Sequence, residues 1–319
     1  MTIERATGVG PCRIDIAYER FGDPGAPALL LIMGAGTQMH GWPDDFCTQL
    51  AARGFHVVRF DNRDAGESTH FHDAPRPDLL AVIAGDSSTA SYRLSDMAAD
   101  TVGLLDVLGV PAAHLVGASL GGFVAQTLAI EYRERVLSLT SMMSTTGDPT
   151  VGQLHPEASE IFTWPRPTNR DEAGERAIRL MRTLGSPGFE HDLVSIRERA
   201  ARAWERDHDP LGIARQAVAA VASGDRTESL RRLSVPTLVV HGTADALCDV
   251  SGGLATAAAI PGADLLLIEG MSHDLPRPVW PRIIEAIVAL TRQVAPRTLA
   301  GDRPRPDPDV GEDRAPAGR

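Results

Sequence analysis

Six short apolar runs, each bounded by Gly, Pro or Asp, recur along the chain with helical patterns between them. They are Ala28 to Met33 (ALLLIM), Phe55 to Phe60 (FHVVRF), Ala113 to Ala118 (AHLVGA), Val136 to Met143 (VLSLTSMM), Pro236 to Gly242 (PTLVVHG) and Ala263 to Gly270 (ADLLLIEG). A strand with one wet face alternates apolar and polar residues, whereas a near-continuous apolar run marks a strand buried on both faces. Helical stretches at 44–53, 95–108, 120–132 and 281–294 separate these runs. The alternation predicts an α/β fold: a mostly parallel sheet with helices on both faces. One earlier segment, CRIDIAYERFG, alternates at Ile14, Ile16 and Tyr18 and reads as an edge strand. At 319 residues the chain suits one large domain, or a core carrying an insertion.

Between Ser144 and Arg232 the strand signals stop. Ala177, Leu180, Met181 and Leu184 recur at helical spacing behind a start marked by Thr168 and Asp171. Leu193, Ile196, Ala200 and Trp204 mark a second helix, and Asp209-Pro210 opens a third with Val218 and Val221 on one face. The expected organisation is a core at 1–143 and 233–295, a helical cap at 144–232, and a disordered tail at 296–319, where Pro, Gly and charge dominate.

Charge and cysteine usage exclude several classes. A net charge of −11 argues against nucleic acid, which demands a basic patch. No apolar stretch is long enough to span a bilayer, and the first residues lack a basic start followed by an apolar run, so a cytoplasmic protein without a membrane partner is expected. Cys12, Cys47 and Cys248 are odd in number and widely spaced, which indicates neither a disulfide framework nor a cysteine zinc site. The sequence fixes no oligomeric state.

The motif with chemical content is Gly117 to Gly122, GASLGG. An apolar run leads into Ser119 and a helical pattern with Phe123, Leu128 and Ile130 leaves it, so the serine sits at a strand-to-helix turn. Gly117 and Gly121 suit a turn so sharp that the residues on either side of the serine nearly touch. A serine hydroxyl at neutral pH needs a base, and the base needs a group to orient it. For this topology the chain order is Ser, acid, His. His273 follows the last apolar run in GMSHDLP and is the expected base. Three carboxylates compete as the acid. Asp245 lies in the loop directly after its strand, while Asp249 reads as the start of the next helix and Asp148 as a turn residue before Pro149, so Asp245 is favoured. The backbone N–H of Leu120 and that of Ala35, in the glycine-rich turn MGAGTQ, are the expected oxyanion donors. Asp61, Arg63 and Gly66 in DNRDAGES are expected to build a hydrogen-bonded turn beneath the site. Phe162 and Trp164, in the proline-flanked IFTWPRP where no helix face claims them, are the expected substrate-binding residues.

The succession GDPGAPALLLIMGAG, GWPDDF, FHVVRFDNRDAGEST, HLVGASLGG, PTLVVHGTAD and IPGADLLLIEGMSHDLP resembles the α/β-hydrolase superfamily. Within it the chain is similar to bacterial esterases of the aclacinomycin methylesterase type, over about Phe21 to Arg292. The resemblance implies the same assignment: Ser119 as nucleophile, His273 as base, Asp245 as acid, and amides of Ala35 and Leu120 for the oxyanion. It also implies a small-molecule ester as substrate, such as a methyl ester of a bulky or polyketide-like acid, and a reaction that needs no metal or organic cofactor. The same triad supports lactone opening, C–C bond hydrolysis and perhydrolysis, and a slow-turnover ligand receptor is the alternative outside catalysis. Met33, Ser272 and Ala246 depart from common superfamily patterns, which have His, Gly and Pro there.

Overall fold

The computed structural model describes residues 2–294, so the expected tail at 296–319 lies outside the described residues. Eight strands form one sheet: β1 (Glu4–Val9), β2 (Ile14–Phe21), β3 (Ala28–Ile32), β4 (His56–Phe60), β5 (Ala113–Ala118), β6 (Val136–Met142), β7 (Thr237–Gly242) and β8 (Asp264–Ile268). Their order across the sheet is β1-β2-β4-β3-β5-β6-β7-β8. The first two pairings, β1 with β2 and β2 with β4, are antiparallel, and the rest of the sheet is parallel. The expected α/β architecture is therefore present.

The apolar runs, except the last at β8, are buried on both faces, as their composition predicts. In β3, Leu30 and Ile32 pack into one core with Leu115 and Leu139, while their chain neighbours Leu29 and Leu31 pack into the other with Val116 and Val240. Each fully buried leucine contributes roughly 1.5–3 kcal/mol of hydrophobic stabilisation. The helices are α1 (Asp44–Ala51), α2 (Leu79–Ile83), α3 (Leu94–Val107), α4 (Leu120–Glu131), α5 (Arg170–Leu184), α6 (Leu193–Arg206), α7 (Gly212–Ala222), α8 (Thr227–Leu230), α9 (Val250–Ala259) and α10 (Trp280–Thr291). Residues of α3 and α4 enter the first core, and those of α1 and α10 the second. No helix among the described residues is long and apolar enough to cross a membrane.

Two strand expectations change. The alternating segment at Ile14 is not the edge, because β1 pairs outside it and β4 lies on its other side. β1 left little trace in the sequence, since only Ala6 and Val9 of its six residues are buried. At the opposite edge, β8 has an apolar composition yet leaves Leu265 exposed, for only β7 flanks it.

Between β6 and β7 stand α5, α6 and α7, the three expected helices, joined by α8 and by a 3₁₀ segment at Pro156–Thr163. α5 and α6 pack on each other, with Gly174 lying against the stem of Arg197. Helix α7 reaches the core: a side chain on Gly212 would strike Asp64 O, and Gln216 bonds two core loops.

Candidate active site

The turn around Ser119 is built from backbone collisions that only glycine avoids. A Cβ on Gly117 would lie 2.1 Å from Gly121 O, and one on Gly121 would lie 2.1 Å from Ile32 O. Ser119 itself has φ 55° and ψ −122°, a strained conformation for a residue with a side chain. Such strain costs on the order of 1–3 kcal/mol and persists only where surroundings enforce it. Here Ser119 N–H donates to Met142 O at 2.9 Å, and Ser119 O accepts from Gly122 N–H at 2.8 Å and from Ser144 Oγ at 3.1 Å. The result is a half-buried hydroxyl where β5 turns into α4, beside the first amides of that helix, those of Leu120 and Gly121, which precede its first internal hydrogen bonds.

Beyond the ends of β7 and β8, on the same edge of the parallel sheet, lie Asp245 and His273. His273 Nδ1 is 2.8 Å from Asp245 Oδ2. The other carboxylate oxygen, Oδ1, accepts from the amides of Leu247 at 3.0 Å and Cys248 at 2.9 Å. Burial pushes this carboxyl up, but the neighbouring charge of His273 and hydrogen bonds from His241, His273 and the Cys248 amide outweigh it and hold the group well below its usual range. Asp245 is thus an ionised, immobile acceptor, and it fixes the Nδ1–H tautomer that leaves Nε2 as the basic atom. No hydrogen bond joins Ser119 Oγ to His273 among the described residues; catalytic contacts of this kind tighten when substrate binds.

The rival carboxylates are occupied elsewhere. Asp249 caps α9 through Ser251 N–H and faces His155 Nε2 at 3.1 Å. Asp148 accepts from the amide and hydroxyl of Thr150 in its own turn.

The glycine-rich turn after β3 stands against Ser119, for a Cβ on Gly34 would sit 3.1 Å from Ser119 Cβ. Gln216 on α7 accepts from Gly36 N–H at 2.7 Å, and Thr37 N–H returns to Gly34 O. Ala35 N–H has no protein acceptor among the described residues. Beneath this turn Asp61 accepts from the amides of Met39 and Glu67 and from Arg206. Gly66 makes room for it, since a Cβ there would lie 2.2 Å from Asp61 Oδ2.

The setting expected for Phe162 and Trp164 is corrected. The IFTWPRP segment is not free loop: Pro156–Thr163 is helical, so Ala158 and Ile161 turn inward and Phe162 outward, 70% exposed. Trp164 is buried with Ala158, Ile161 and Leu184, its ring covered by Arg179 at 3.9 Å, and this cluster packs on Ala246 and Leu247 beside Asp245. A cavity of about 370 Å³ opens beside the loops of Asp245 and His273, lined by Met181, Leu184, Phe189, His191, Ala246 and Ser272 among others, and Ser119 is not in its lining. A hollow of similar size between the β1–β2 turn and α3 contains no nucleophile.

One group of residues escaped the sequence reading. Ser272 N–H donates to Ser186 Oγ at 2.8 Å, Ser272 Oγ donates to Leu184 O at 2.7 Å, and Ser186 donates through both N–H and Oγ to Asp274 Oδ1. Both neighbours of His273 are therefore tied to the end of α5. The unusual Ser272 was the only sequence signal.

Comparison with known proteins agrees with this architecture. A family described as alpha/beta hydrolase fold matches residues 27–276. Rhodomycin D methylesterase DauP of Streptomyces sp. (strain C5) is 32% identical over 296 residues, covering 86% of this chain and 94% of the relative. Rhodomycin D methylesterase DnrP of Streptomyces peucetius is 32% identical over 298 residues, with the same coverage. Among solved structures, the esterase RhEst1 from Rhodococcus sp. ECU1013 aligns with a TM-score of 0.69 at 21% identity, over 92% of this chain and all of that one, a likeness of fold alone.

Proposed function

The chain belongs to the alpha/beta hydrolase fold family, and on that premise we propose that it is a carboxylic ester hydrolase with Ser119, His273 and Asp245 as its catalytic triad. The observation that carries this reading is the 2.8 Å contact of His273 Nδ1 with the buried Asp245, beyond the same sheet edge as a serine on a strained turn. In the first half-reaction His273 Nε2 takes the Ser119 proton as Oγ attacks the ester carbonyl. The amides of Leu120 and Ala35 receive the oxyanion, and His273 then protonates the departing alcohol. Water, activated by the same imidazole, hydrolyses the acyl-enzyme and frees the acid.

The substrate class we favour is a methyl ester of a bulky acid. Its support is the similarity to the two rhodomycin D methylesterases over most of the chain. In this reading residues 144–232 act as the cap over a core at 1–143 and 233–295. The three unpaired cysteines, two of them buried, favour a reducing cytoplasm. Steady-state kinetics test the proposal. Methyl esters of large polycyclic acids should have higher kcat/KM than acetate esters, and p-nitrophenyl esters should turn over many times per enzyme. A single burst without turnover would point to a receptor, and a preference for acetate would overturn the substrate class.

A further inference from the structure

We propose that His70, His72 and Asp209 form a binding site for a divalent transition metal that clips the loop after β4 to the segment joining α6 and α7. The three residues offer donor atoms that all lie within 4.8 Å of one another. Asp209 Oδ2 is 3.4 Å from His70 Nδ1 and 3.7 Å from His72 Nδ1. Donors bound to one tetrahedral zinc at about 2.0–2.1 Å stand about 3.3 Å apart, so small side-chain movements close the set. The His-x-His spacing puts both imidazoles on one side of the chain, where their rings stack 5.3 Å apart and nearly parallel.

Tautomer and charge point the same way. His70 Nε2 lies 3.1 Å from Gly66 O, an acceptor only, so Nε2 donates there, and Nδ1, 3.4 Å from Asp209 Oδ2, is the ring atom left to meet a cation. Between Nδ1 and this carboxylate oxygen stands either a proton or a metal ion. A ring N–H donated to a backbone carbonyl is also the usual support of a metal-ligating histidine. Around His70 stand Asp64 at 4.0 Å, Asp207 at 3.6 Å and Asp209 at 3.4 Å. The guanidinium of Arg215 pairs with Asp64 and Asp209; Arg206, on the neighbouring helix, pairs instead with Asp61 and Glu67. Three carboxylates against one guanidinium leave two negative charges, which a divalent ion balances. Arg215 also holds Asp209 Oδ2 at 2.6 Å, which orients the carboxylate while leaving it a second lone pair. His72, 70% exposed at its side chain, gives the ion a path from solvent and leaves a coordination position for water.

The rival reading is a doubly protonated His70 paired with these carboxylates, and metal titration separates the two. After chelator treatment and removal of the chelator, the full-length protein should bind one equivalent of Zn²⁺ by calorimetry. Co²⁺ in its place should give the intense visible absorption of a four-coordinate site, and Tm should rise with added Zn²⁺. His72→Ala, which removes an exposed side chain with little packing to lose, should weaken Zn²⁺ binding about 10- to 100-fold and abolish the Tm shift. His70→Gln should do the same. Absence of Zn²⁺ binding in the wild type, or binding undiminished in His72→Ala, would overturn the proposal.

Discussion

Ser119 is held by the sheet and His273 by the helices inserted into it. The serine's amide and carbonyl are bonded to Met142, Ser144 and Gly122, and two glycines fix the turn by contact with backbone oxygens. His273 sits on a loop beyond β8, an edge strand, and its flanking residues are tied through Ser186 to the end of α5. The oxyanion turn is mixed, lying against Ser119 on one side and bonded to Gln216 of α7 on the other. The contrast implies a nucleophile fixed by folding itself and a base whose position depends on how the helical segment docks. Changes in the core should therefore abolish chemistry, whereas changes in the helical segment should detune it.

The largest effect is expected at the nucleophile. Ser119→Ala should fold with an unchanged far-ultraviolet spectrum and lose on the order of 10⁴- to 10⁶-fold in kcat, read with a p-nitrophenyl ester. Asp245→Asn should follow, lowering kcat by roughly 10⁴-fold because the imidazole loses the acceptor that fixes its tautomer. Asp148→Asn and Asp249→Asn should stay near wild type in kcat. A crippling Asp148→Asn would move the acid to the loop after β6 and break the account of the core.

Effects from the helical segment should be smaller and of a different kind. Ser186→Ala removes the hydroxyl that bonds Ser272 N–H and Asp274, loosening both neighbours of His273, and should lower kcat about 10- to 100-fold with little change in KM, the cost of a misplaced base. Ser186→Thr keeps the hydroxyl and should restore much of that loss. If KM alone rose, the tether would serve substrate binding rather than the base. Smallest for catalysis is Trp164→Ala, which empties a site packed under Arg179 and beside the acid loop. It should cost about 3 kcal/mol in stability, measured by denaturant unfolding, while kcat/KM on bulky and small esters changes in parallel. A selective loss on bulky esters would restore Trp164 as a pocket wall.

The same contrast explains what the sequence disclosed. The turn at Ser119 and the loops bearing Asp245 and His273 each follow an apolar strand pattern, so local pattern and spacing place them at one end of the sheet. Strand β1 stayed hidden because its burial comes from pairing with β2 and not from its own composition. Ser186 and Asp274 join positions 88 residues apart, and no local pattern encodes such a contact. Phe162 and Trp164 were misread because a 3₁₀ segment rich in polar residues lacks a clear period, yet it still has an inside and an outside.

The central claim is that Ser119 forms the covalent acyl bond. A fluorophosphonate probe that mimics the tetrahedral intermediate should add once per chain, and peptide mass spectrometry should place the adduct on Ser119, with no adduct in Ser119→Ala. A label on any other residue, or steady ester turnover by Ser119→Ala, would contradict the account.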